Sequence, residues 1–160
     1  MRKSYFHRIF LLFLCLVFVT PLLQADPLFE SSDTFDIQIE APFSQIRRER
    51  DKEEEYSGKL DLGDASFDVI VSVRGNNRLR RDICKNPPLW IDLVKGEMAG
   101  TPFEHQNRLK LVVLCKKPAF YQDYLRAEYL TYKMYEAISG LSFKTRWVNV
   151  TFVEEGKTRR

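Results

Sequence analysis

One stretch of this chain reads as a long helix, and it constrains the fold more than any other feature. YQDYLRAEYLTYKMYEAIS, residues 121–139, runs without proline or glycine, and Gly140 stands just past its end as a C-terminal stop. Everything around it is short and alternating. FDIQIEAP sets Phe35, Ile37 and Ile39 on one face and Asp36, Gln38 and Glu40 on the other, and Pro42 ends it. Residues 59–62 and 66–73 form the arms of a hairpin turning at Gly63-Asp64, with Phe67, Val69, Val71 and Val73 on one face. LWIDLV at 89–94, RLKLVVLC at 108–115 and SFKTRWVNVTFVE at 142–154 supply three more strands. Several strands and one long helix predict an α+β domain, a mainly antiparallel sheet with the helix packed on it.

The chain divides accordingly. Residues 1–25 read as a secretory signal peptide: Arg2, Lys3 and Arg8 precede IFLLFLCLVFV, 11 apolar residues, and a small residue at Ala25. A membrane span needs roughly 20, so the chain contacts a membrane only if this segment stays uncleaved. Residues 26–34 are a polar lead-in, 35–155 the single domain, and 156–160 a C-terminal end at which a truncation would fall. The whole chain holds 25 basic and 22 acidic residues. Removing the three bases of the export segment leaves equal numbers of each sign, so the net charge gives no argument for a nucleic-acid partner. Arg47 to Glu55 is almost wholly charged and reads as a solvated helix or loop.

Export also leaves two cysteines, Cys84 and Cys115. In an oxidising compartment they are a disulfide candidate, worth about 3–4 kcal/mol on the loop-entropy model. Two cysteines without C-x-x-C spacing and one histidine, His105, fall short of a metal-binding set.

Two charges sit where burial is expected. Lys110 lies in a strand whose faces are both apolar. Glu128 lies at the centre of a helical stripe formed by Tyr121, Tyr124, Leu125, Tyr132 and Tyr135. An unpaired buried charge costs several kcal/mol, on the order of 3–5, so the expectation is a Lys110–Glu128 ion pair. In the alternative, Lys110 lies on a sheet edge and reaches water, and tyrosine hydroxyls cap Glu128. Leu130, Met134 and Ile138 make the opposite side of the helix apolar too, which calls for a covering layer: a protein partner, a missing lobe or a second copy. The loop RGNNRLRRDICKNPP carries Arg74, Arg78, Arg80 and Arg81, with Gly75 and Asn76 able to take left-handed backbone. It is an anion-binding candidate or a solvated basic turn.

These segments carry a resemblance. Arg74-Gly75-Asn76, Cys84, Pro87-Pro88-Leu89, Leu109-Lys110-Leu111-Val112, Cys115, and Glu128-Tyr129 with Tyr132 resemble a family of exported bacterial proteins of unassigned function, over roughly residues 35–155. More distantly, the RGN strand, the lysine strand and the helix look like the N-terminal lobe of CotH-type spore-coat kinases. That likeness implies Lys110 and Glu128 as a nucleotide-positioning pair, the RGN loop near the phosphates, and ATP with Mg as cofactors. The base and metal-binding acids of a second lobe have no counterpart motif here. The expectation is an exported, periplasmic or extracellular, non-catalytic domain that binds an anion or a protein partner, with no catalytic residue assigned. The alternatives are a phosphotransferase fragment needing a C-terminal lobe and a structural cell-envelope protein.

Overall fold

The computed structural model describes residues 26–94 and 96–154, and the backbone of 157–159. The export segment expected at 1–25 lies outside the described residues. A short helix α1 (Pro27–Glu30) leads into β1 (Phe35–Glu40) and α2 (Phe43–Glu49). Then come β2 (Tyr56–Asp61), β3 (Ser66–Val73), β4 (Leu89–Leu93) and β5 (Arg108–Leu111). The long helix α3 (Phe120–Ser139) is followed by β6 (Val148–Glu154) and β7 (Lys157–Arg159). The seven strands form one sheet in the order β5-β4-β3-β2-β1-β6-β7. Every neighbouring pair is antiparallel except β1 with β6. The fold is the α+β arrangement that the segment pattern predicts.

Register explains the core. Ile39 stands opposite Leu60, Val71 opposite Ile91, and Ile91 opposite Leu109. Strand side chains alternate with period two, so these pairs, in two neighbouring rows joined through Leu60–Phe67 and Tyr56–Val71, set apolar residues of β1 to β5 on one face of the sheet. Ile39, Leu60, Val69 and Val71 are essentially inaccessible, and α2 adds Phe43 and Ile46 to the same core. Gly58 lets β1 and β2 close up, because a Cβ there would lie 2.5 Å from the Glu40 carbonyl oxygen.

Three elements differ from the sequence expectation. The first is β5, which ends at Leu111 instead of running to Cys115. Its one neighbour, β4, begins opposite it at Leu89, and Pro88 and Pro87 stand before that residue without an N–H to donate. Pairing stops where donors stop. The second is β6, which begins at Val148, because 142–147 are held elsewhere. There Arg146 donates to the carbonyls of Leu28 and Asp33, both at 3.0 Å. The third is the charged run, in which Arg47 and Arg50 are half-buried while the other residues of 47–55 are exposed. Arg50 takes left-handed backbone (φ 58°) at the end of α2 and turns its guanidinium inward.

The cysteine pairing holds. Cys84 and Cys115 form a disulfide, with Cα atoms 4.8 Å apart. The N–H groups of Lys85 and Asn86 both donate to the Cys115 carbonyl, at 2.9 and 3.1 Å. The loop after β3 is thereby fastened to the segment after β5. No helix among the described residues is long and apolar enough to cross a membrane.

Candidate functional site

A cleft of about 560 Å3 follows β5 and takes in every residue from Arg108 to Val112. Its far wall is α3, through Leu125, Glu128, Tyr129 and Tyr132, and the segment carrying Phe143 and Trp147 closes one end. Tyr129 meets Trp147 edge to face at 5.7 Å, which fixes how the helix stands over the cleft. The inward stripe of α3 is therefore rotated from the one the helical wheel centres on Glu128. Tyr124 and Tyr135 face solvent, and no residue of the helix is fully buried.

Part of the cleft's lining is a tryptophan ringed by cations, beside the core-face residues Ile37, Ile39, Leu60 and Ile91. Register sets Ser72, Trp90 and Lys110 in one row across β3, β4 and β5, on the face opposite the apolar core. Arg74 follows Ser72 by two residues and comes to the same face, and Arg108 stands opposite Asp92. Around the Trp90 ring centre lie the Arg108 guanidinium at 4.8 Å, the Arg74 guanidinium at 5.2 Å and the Lys110 ammonium at 5.7 Å. Each gains from the ring's negative face, by about 0.5–1 kcal/mol at a partly exposed site. Arg108 has a carboxylate, Asp92, at 2.8 Å. Arg74 and Lys110 have none within 4 Å among the described residues. Of the three cations on the indole only Arg108 has a paired acid, while the other carboxylates of the cleft, Asp26 and Glu128, lie beyond ion-pair reach of Arg74 and Lys110.

Lys110 and Glu128 both line this cleft, yet they are engaged with different partners. The Lys110 ammonium stands over Phe143, 3.8 Å from the ring centre. Glu128 has Arg78 at 3.8 Å as its cation. The physical reason is that β5 is an edge strand, so Lys110 reaches water and the aromatic rim without an acid. The expected Lys110–Glu128 pair gives way to an Arg78–Glu128 pair and a lysine on a ring.

The arginine loop does not converge on one point. Arg74 alone enters the cleft. Arg78 turns to Glu128 and to the Val113 carbonyl (3.2 Å), and Arg80 pairs with Asp82 at 2.7 Å. Arg81 donates to the Arg48 carbonyl, and Asn76 accepts from Lys52. Gly75 (φ 89°) makes the turn that separates Arg74 from the rest. What organises the loop is Arg50, whose guanidinium donates to the carbonyls of Leu79 (2.8 Å), Cys84 (2.8 Å) and Lys85 (2.6 Å) as well as Arg47 (2.9 Å). Sequence reading placed Arg50 in a solvated run. Trp90 and Arg108 were legible only through strand register, which sets them beside Lys110 and Asp92.

No protein-family model, curated protein or solved structure matches this chain.

Proposed function

We propose that this is an exported, non-catalytic binding domain, akin to the first lobe of a kinase, that takes an anion, free or carried by a protein partner, in the cleft along β5. The observation that carries the reading is the pair Arg74 and Lys110. Both sit on the Trp90 indole in a cleft, and neither has a carboxylate within 4 Å among the described residues. An anion entering there would relieve repulsion between like charges and gain bidentate contacts from Arg74. The disulfide supports export, since such bonds persist in oxidising compartments. The phosphotransferase reading draws less support, because Lys110 and Glu128, the two residues a kinase would pair, are engaged elsewhere.

Calorimetric titration with inorganic pyrophosphate and with Mg-ATP, at low and at high salt, tests the proposal. Binding of at least one of them should weaken tenfold or more in the Arg74→Ala, Lys110→Ala double variant, and should fall with salt. Absence of binding by both at low ionic strength, or equal binding by the double variant, refutes it.

A further inference from the structure

The outer face of α3, away from the cleft, carries Phe120, Tyr124, Ala127, Thr131, Met134 and Ile138, all of them exposed. Their spacing is four, three, four, three and four residues, the seam of a helix pair. It reads the same from either end. The sizes are also symmetric: two small residues, Ala127 and Thr131, at the middle, and large ones at each end.

We propose that a second copy of this chain covers this face, the two α3 helices packing antiparallel about a two-fold axis level with position 129. In a two-fold contact, residue i meets j and j meets i. Phe120 then meets Ile138, Tyr124 meets Met134, and Ala127 meets Thr131, all in one register. The small residues fall at the crossing, where backbones come closest, and the large ones fill the diverging ends.

The amount of surface agrees. Phe120 is 51% exposed, Tyr124 66%, Met134 64% and Ile138 82%, and Leu130 and Tyr135 flank them, also more than half exposed. At roughly 150–250 Å2 per large side chain, these six leave on the order of 700 Å2 in water on each copy, near the ~800 Å2 a partner contributes to a standard interface. A typical monomer's largest apolar patch is about 300–600 Å2.

The hydroxyl at the crossing is already satisfied. The Thr131 hydroxyl donates to the Ala127 carbonyl of its own helix at 2.8 Å, so covering it strands no donor.

Sedimentation equilibrium of the full chain reads the outcome. The expected result is a dimer mass, and a monomer mass for Ala127→Glu with an unchanged circular-dichroism spectrum. Ala127 is exposed in the single copy, so the substitution leaves the fold intact. A monomer mass for the unsubstituted chain overturns the inference, and so does a dimer that persists in Ala127→Glu, which would place the contact on another face. Mild oxidation of mixed Ala127→Cys and Thr131→Cys chains should cross-link the two kinds to each other. Failure of that cross-link in a dimeric sample refutes the antiparallel register.

Discussion

Arg78 reaches Glu128 across 3.8 Å, joining the loop after β3 to the long helix. Both side chains are partly exposed, 33% and 42%, so the pair is screened by water and is worth little on its own. Glu128→Gln should therefore lower stability by less than about 1 kcal/mol. Lys110→Ala should do the same, since its ammonium rests on Phe143 at the surface. Urea denaturation measures both. A loss above about 3 kcal/mol for either would mean a buried charge pair after all.

Arg50 is the more important cation for folding. Its guanidinium serves four carbonyls, three of them in the loop that the disulfide anchors. Arg50→Ala leaves those carbonyls without their donor and should cost roughly 2–4 kcal/mol. Arg50→Lys should recover only part of that, because an ammonium cannot span the same fork of acceptors. Denaturant midpoints at constant slope give the comparison.

Removing the Cys84–Cys115 bond should cost about 3–4 kcal/mol through the freed unfolded chain. Thiol titration of the unfolded, unreduced protein should find no free thiol at these two positions. Denaturation with and without reductant should separate by the same free energy.

Stability should fall on the alkaline side through Tyr56. Burial, and then its hydrogen bond to Glu49 at 2.7 Å, push the phenol up to about 12. The unfolded phenol ionises near 10. The folded state therefore keeps a proton that the unfolded state releases, and stability declines from about pH 10 towards pH 12. The same bond holds the Glu49 carboxyl below its usual value, so that contribution is present at neutral pH and lost as pH falls through the acid range. Tyr56→Phe should flatten the alkaline decline and reduce the acid one, as read from denaturation midpoints across pH.

Strand faces were legible in the sequence because period-two alternation is local. Val69, Val71 and Val73 are buried as the pattern requires, and Gly140 (φ 64°) ends the helix, its N–H donating to the Glu136 carbonyl. The cysteine pairing was legible from composition, through the expectation of an oxidising compartment. The charge partners were not. Whether Lys110 is buried depends on whether β5 has a second neighbour, a fact of sheet order that no local pattern carries. That Arg78 rather than Lys110 reaches Glu128 depends on a loop held by Arg50 and the disulfide, two contacts that are remote in sequence. The cation ring on Trp90 emerged once Trp90 was known to stand opposite Lys110.

The parallel pairing of β1 with β6 has a consequence for the order in which the molecule forms. Its partners, such as Asp36 and Asn149, are 113 residues apart. Before β6 arrives, β1 is an open edge and the sheet ends at it. Pairs this distant form late and slow the search, since loop closure precedes any gain from contact. Completing the sheet requires nearly the whole domain at once. A chain crossing a membrane amino end first would stay without this pairing until β6 emerged, and would fold as a unit on the far side.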